Sequence, residues 1–352
     1  MKTPKLRLPR NWLGLAALLV LVLFPFAMAL ITGQPVTEGA PKFWQGMLAQ
    51  MFILAVYAMS YDLLLGYTGI LSFGHAMFFG TGAYLTGILL KHAGWPLWQV
   101  GLAVMAAAVL QSLLVGLLSL RVRGVYLAMV TLAFAQMFFI LSEATDFAQW
   151  TGAEDGLHSI PAPRWMNPTD ERLRFYFISL AFCVAIYLIV RRVVESPAGK
   201  VMIAIRENEN RAQMIGYNTF VYKLLAVTLS GVLAALSGLM NALWNLNANP
   251  TMLSVGVTIN ALLMTIIGGA GTLVGPMLGA AILQLLGYWL NAFFGPRWPL
   301  IFGIVFVFIV LFLPYGVVGT WQMRGASWRS AWAERRRRLA GRANEGGLRR
   351  KN

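Results

Sequence analysis

One cysteine, Cys183, three histidines and a charged fraction of only 12% stand out as shortages in this 352-residue chain. A single thiol forms no internal disulfide and says nothing of redox compartment. His75, His92 and His158 fall in three separate segments, so no metal-ligand spacing is present and no metal site is expected. There is no GxxxxGK[ST] loop to cradle ATP phosphates, and Gly199-Lys200 lacks the upstream glycine. No serine, cysteine or carboxylate sits in a nucleophile motif. The chain does not read as an enzyme. Soluble domains carry about 25% charged residues, and this one carries half that.

What is abundant is apolar sequence: 58% of residues, gathered in runs of membrane-spanning length. Strict short alternation, the mark of a membrane β-barrel, is missing. The fold class expected is all-α, a polytopic membrane helix bundle. The runs are 12–31, 47–65, 70–90, 97–120, 124–142, 174–190, 220–245, 257–271, 273–294 and 299–317. Glycines interrupt 70–90, 257–271 and 273–294, so about 8–10 spans are expected. The run after Lys2, Lys5, Arg7 and Arg10 includes Ala27-Met28-Ala29, which resembles a signal-peptidase site. At about 20 residues it exceeds a signal-peptide core and reads as an uncleaved first helix.

The formal charge of +15 belongs to the ends of these runs, which points to membrane topology rather than nucleic acid. With the N-terminus inside, all but six of the 28 basic residues fall on the cytoplasmic side. The six are Lys42, Lys91, Arg164, Arg172, Arg174 and Arg297. Both termini are therefore expected in the cytoplasm. The organisation expected is a cytoplasmic N-terminus (1–11), a transmembrane domain (12–317) and a basic cytoplasmic tail (318–352). Within the domain lie a periplasmic loop (143–173) and a cytoplasmic loop (191–220). The tail's Arg335–Arg338 and Arg349–Lys351 suit anionic lipid.

Two stretches invite a functional reading. In the cytoplasmic loop, Ser196-Pro197 marks a helix start and Gly216 a stop. Val201, Ile205, Ala212 and Ile215 share an apolar stripe there, so one short amphipathic helix is expected. A lipid-binding face would be rich in Lys and Arg. The block Arg206-Glu207-Asn208-Glu209-Asn210-Arg211 mixes acid, amide and base, which suits a protein partner. The other stretch is GYTGILSFGHAMFFGTGAY, Gly66 to Tyr84, echoed in part by Gly268-Gly269-Ala270-Gly271-Thr272-Leu273-Val274-Gly275. Paired glycine interruptions in two halves of a transporter point to the translocation path. They read as broken helices, against the plainer reading of cytoplasmic turns. His75 either lines that path or is a structural donor among aromatics, the commoner case. Asp62 is the one acidic residue inside a span; it touches substrate or merely reaches an interface or Tyr67.

Five stretches in order carry a resemblance: GYTGILSFGHAMFFGTGAY, RGVYLAMVTLAFAQ, SPAGKVMIAIRENENRAQMIGYN, KLLAVTLSGVLAALSGLMNAL and LLMTIIGGAGTLVGPMLGA. From about Met51 to Tyr315 the chain resembles the LivM-type permease subunit of branched-chain amino acid ABC importers. That resemblance implies a bacterial inner-membrane protein paired with a homologous LivH-type permease, two cytoplasmic ATPases and a periplasmic binding protein. It implies no cofactor on this chain, ATP and Mg being held by the ATPase. It implies that Ala204, Ile205, Arg206, Glu207, Asn208, Arg211 and Gly216 belong to the segment coupling to the ATPase. The translocation path is expected at Gly66, Tyr67, Gly69, Ser72, Phe73, Gly74, His75, Asn260, Gly268, Gly269 and Gly271. Two positions depart from relatives, which often carry acids near Asn260 and Gln136. Thr151–Gly156 is also more acidic than usual. Neutral walls would shift selectivity within amino acids, or toward urea and short-chain amides. A secondary transporter or channel working alone would need membrane charges beyond Asp62, and a scaffold would need neither the glycine breaks nor the docking helix.

Overall fold

The computed structural model describes residues 12–312 and 315–320. The N-terminal segment 1–11 and the tail from residue 321 onward lie outside the described residues. Among residues 12–312, thirteen α-helices follow in order. They are α1 (Trp12–Thr32), α2 (Gly39–Asp62), α3 (His75–Lys91), α4 (Leu97–Ser119), α5 (Val125–Glu143) and the one-turn α6 (Ala148–Thr151). Then come α7 (Arg172–Glu195), α8 (Pro197–Glu207), α9 (Glu209–Met214), α10 (Thr219–Asn245), α11 (Val255–Gly268), α12 (Val274–Phe294) and α13 (Trp298–Phe312). Each of the ten expected runs has its helix. Among the described residues, seven helical stretches are long and apolar enough to cross a membrane, with α12 and α13 counted as one. At 17 and 14 residues, α3 and α11 are shorter. The chain is an all-α, multi-pass membrane bundle.

Some boundaries differ from expectation. The run expected at 47–65 begins at Gly39 and continues past Asp62 through a π-helical stretch, Leu63–Thr68. The run expected at 174–190 fills Arg172–Glu195, the helix continuing past its apolar centre into polar residues at both ends.

The bundle is organised around α2, which is buried on nearly all sides. Ile53, Tyr57, Tyr61 and Leu64 face a core built with α3, α4 and α10. Phe52, Val56, Met59 and Leu63 face a second core built with α7, α11 and α12. The two sets interleave at three- and four-residue spacing, so one helix serves both cores. Opposite the α8 end, β1 (Leu157–His158) pairs antiparallel with β2 (Asn247–Ala248), fastening the 143–173 loop to the end of α10.

Helix contact here depends on small residues, since lipid offers no hydrophobic force to join helices. A Cβ on Gly82 of α3 would collide with the Ala235 carbonyl of α10, and one on Gly238 of α10 with the Phe79 carbonyl of α3. Backbone cannot yield as a flexible side chain can, so Gly238→Val is expected to cost more than the roughly 1–3 kcal/mol of ordinary overpacking. Detergent-solubilised variant should melt well below the parent in a thermal unfolding assay; an unchanged melt would contradict this packing.

Candidate functional site: an amide-lined cavity and a glycine junction

The loop expected to form one amphipathic helix forms two. Ser196 Oγ accepts from Gly199 N at 3.3 Å and Pro197 opens α8, as the sequence indicated. The helix stops at Glu207 because Asn208 takes extended backbone, φ −161° and ψ 101°, and caps α9 by accepting from Arg211 N at 2.9 Å. Gly216 ends α9 with φ +99°. Val201, Ile205 and Ala212 are buried together against Tyr222, but Ile215 is not part of that stripe and is 71% exposed. The break at Asn208 turns the last turn of α9 away from the stripe. Ala204, Glu207, Asn208 and Arg211 are exposed beside Met214 and Ile215.

Glu209 anchors α9 from beneath. Its Oε1 lies 2.7 Å from Lys223 Nζ on α10 and 3.9 Å from Arg123 Nη2 before α5, and accepts from Thr219 Oγ1 at 3.2 Å. Burial pushes this carboxyl up, but the Lys223 hydrogen bond and charge, with Arg123 and Thr219, outweigh it and hold it below the usual carboxylate range.

Arg206 of α8 joins the two glycine stretches. Its Nη1 donates to the Gly66 carbonyl. A Cβ on Gly69 would lie 3.1 Å from Arg206 Cγ, and one on Gly271 would lie 2.9 Å from Arg206 Nη1. Below this contact Asp62, fully buried, accepts from Gly271 N through Oδ1 at 2.7 Å. A Cβ on Gly66 would collide with both Asp62 Oδ1 and Gly271 N, so glycine is what lets that bond form. Asp62 therefore reaches across to the other glycine stretch rather than to Tyr67, which is buried nearby.

After Thr68, Gly69 turns the chain with φ +70°, and residues 69–74 run without helix back alongside α2. This brings His75 beside Ser60. Irregular backbone inside a membrane bundle needs internal partners, and they are present. Phe73 N donates to Thr131 Oγ1 at 3.2 Å, Gly74 N to Ser72 Oγ at 3.3 Å, and the Ser72 carbonyl accepts from Tyr61 Oη at 3.1 Å. Thr258 Oγ1 on α11 takes Ala76 N at 2.9 Å. His75, fully buried, has Nε2 2.8 Å from Ser60 Oγ and rings of Tyr57, Tyr61 and Phe78 around it. Gly268 and Gly269 close the other stretch, where α11 turns into α12.

A cavity of about 730 Å³ lies at the other end of the bundle, between α2, α10, α11, α12 and α13. Of the expected path residues, Asn260 is on its wall. Gln50, Asn241, Asn245, Asn247, Asn249, Gln284 and Asn291 line it too, with apolar Leu54, Val257 and Leu263, and no charged side chain. Gln50 Nε2 donates to Asn241 Oδ1 at 3.2 Å, and Asn245 Nδ2 to the same oxygen at 3.1 Å. Neither the charge pattern nor the glycine pattern of the sequence singles out these amides. Their signal was there: Asn241 and Asn245, one turn apart in an apolar run, and Gln50 in another. The structure thus brings Gly66, Gly69, Gly271 and Arg206 to one end of the bundle and leaves Asn260 at the other.

A multi-pass helical bundle with buried unwound backbone and a polar, uncharged cavity defines a solute permease. Residues 44–313 match the family described as the permease component of the branched-chain amino acid transport system, and the chain belongs to that family. It is 26% identical over 294 residues to the high-affinity branched-chain amino acid transport system permease protein LivM of Escherichia coli (strain K12), covering 76% of this chain and 68% of that protein. A probable branched-chain amino acid transport permease protein LivM of Methanocaldococcus jannaschii is 24% identical over 301 residues, 80% of this chain and 86% of the relative. The ribose import permease protein RbsC of Haemophilus influenzae is 29% identical over 138 residues, 38% of each chain. No solved structure matches the chain significantly.

Two outcomes follow from the glycine junction and its anchor. Asp62→Ala strands the half-buried Gly271 N–H and is expected to cost up to about 1–3 kcal/mol, with Asp62→Asn milder because its carbonyl still accepts; thermal unfolding of the two variants reads the order. Because Glu209's folded pKa is depressed, its contribution is present above the ordinary carboxylate pKa and is lost as pH falls through the folded value. Hydrogen-exchange protection in α9, taken relative to the intrinsic rate at each pH, should fall as pH drops through that range, and Glu209→Gln should remove that fall.

Proposed function

We propose that this chain is the permease subunit of an ATP-driven, binding-protein-dependent importer of branched-chain or related amino acids. It forms half of the pore beside a homologous LivH-type permease in a bacterial inner membrane, with both termini cytoplasmic. ATP and Mg are held by two separate cytoplasmic ATPases, and a periplasmic binding protein delivers the solute. The observation that carries this reading is the position of Arg206. It belongs to a helix whose exposed end is charged and runs on to the apolar Met214 and Ile215 of the next, and it donates to the Gly66 carbonyl while packing beside Gly271. A partner that moves α8 therefore moves the ends of α2 and α11 together. In this reading Ala204, Glu207, Asn208, Arg211, Met214 and Ile215 meet the ATPase, while Ile205 and Gly216 shape the helix pair. The solute enters the amide-lined cavity past Asn260 and leaves past the glycine junction of Gly66, Gly69 and Gly271, which moves with α8.

The wall of carboxamides favours a second reading, import of urea or short-chain amides by the same class of machine. A transporter acting without ATP has less support, since the Asp62 carboxyl is engaged by Gly271.

Gentle affinity purification of the tagged chain from native membranes should recover an ATPase and a second permease, and the ligand profile of the neighbouring binding protein separates amino acids from amides. A chain that purifies alone and passes solute without ATP would overturn the reading. Arg206→Glu should abolish uptake while the protein stays inserted; unchanged uptake by a stably inserted variant would remove the coupling role.

A further inference from the structure

Beside the amide-lined cavity lies a chamber of about 440 Å³ that shares Gln50, Asn245, Gln284 and Tyr288 with it. Arg172, the first residue of α7, lines this chamber. Its guanidinium carbon lies 5.5 Å from the centre of the Trp244 ring, its Nε donates to the Pro168 carbonyl at 3.3 Å, and Nη1 packs over Gly46. A Cβ on Gly46 would lie 3.5 Å from that nitrogen and 3.1 Å from Trp244, so α2 leaves room for the pair. Among the described residues Arg172 meets no carboxylate within ion-pair distance, whereas Arg174 beside it pairs with Glu171 at 3.4 Å. The cation is held in place, with donors left over.

The amide-lined cavity carries the complementary groups: Gln50 lines both spaces, and Asn247 lines the cavity alone. Gln50 Oε1 and Asn247 Oδ1 are buried acceptors without a protein partner. Leu54, Val257 and Leu263 supply apolar surface. We infer that Arg172 holds the carboxylate of an α-amino acid zwitterion at the edge of this cavity, with the ammonium on the Gln50 and Asn247 carbonyls and the side chain against the apolar wall. A guanidinium matches a carboxylate in shape and charge, two N–H groups to two oxygens. Neutral carbonyls accept from an ammonium without adding a negative charge, so a second cation on the solute has no counter-ion there. Urea and short-chain amides have no carboxylate for Arg172. Arg172 is thus a specificity residue that favours neutral amino acids over amides, amines and dibasic amino acids. This inference rests on the amino-acid importer reading.

The test is ATP-driven leucine uptake by the complex purified with this chain and reconstituted in liposomes. A binding protein sets the half-saturating concentration, so a site in the permease shows in the maximal rate. Arg172→Gln is expected to lower the maximal rate of uptake roughly tenfold to a hundredfold, as loss of a charge-assisted contact does, with the half-saturating concentration unchanged. Arg172→Lys should recover part of the rate, because it keeps the charge but not the fork. Uptake by Arg172→Gln at the parental rate overturns the inference. If Arg172→Gln fails to recover its partner chains on purification, Gln50→Glu decides. A carboxylate in the shared wall would compete for the guanidinium and depress uptake, and parental uptake by that variant overturns the inference as well. A parental complex that imports no leucine at all, but imports urea, defeats the amino-acid reading itself and the inference with it.

Discussion

The bond from Gly271 N to the Asp62 carboxyl is the constraint around which this bundle is arranged. It joins the end of the central helix α2 to the turn between α11 and α12, two points 209 residues apart in sequence. For it to form, Gly66 must lack a side chain, and Gly271 must turn with φ +80° to present its N–H. Arg206 then fits over the joined segments and donates to the Gly66 carbonyl. A buried carboxyl is costly unless it is hydrogen-bonded; here Oδ1 takes the Gly271 N–H while Oδ2 is buried without a partner among the described residues.

The rest of the molecule follows from that junction. Since α2 serves both hydrophobic cores, fixing its end fixes the relation of α3, α4 and α10 to α7, α11 and α12. The reversal at 69–74 brings His75 back beside Ser60, where aromatic rings hold it. The amide-lined cavity opens at the far end, bounded by α2, α10 and α11 among others. A lever at one end and a polar chamber at the other, joined by one buried helix, is the arrangement an alternating-access permease requires. Coupling between them needs an element with two arrangements that both ends bias, and helix α2, held by the junction at one end and lining the cavity at the other, is the element that connects them.

Much of this was readable from residue order. Apolar run length gave the helices, because a span has to match a bilayer. Ser196-Pro197 and Gly216 marked the limits of the α8–α9 segment because capping chemistry is local. The glycine stretches pointed to close approach. What could not be read was which groups approach which. Asp62 and Gly271, like Arg206 and Gly66, meet only through tertiary packing. The break at Asn208 escaped notice because asparagine competes for its own backbone as a cap only when the chain turns there. The amides of the cavity look unremarkable one at a time; they converge only when five helices are assembled.

In the proposed importer, α8 and the two glycine stretches move as one body when the ATPase acts. Electron–electron distance measurement tests it most directly, with spin labels at Ala204 on α8 and Ala270 between the glycines of the second stretch, in the assembled complex. The one native cysteine, Cys183, is buried in α7 and leaves the introduced sites free to be labelled. The account predicts a single narrow distance, unchanged between the nucleotide-free and ATP-bound complex. A distance that shifts or splits on ATP binding would contradict it, because α8 would then slide past the junction rather than carry it.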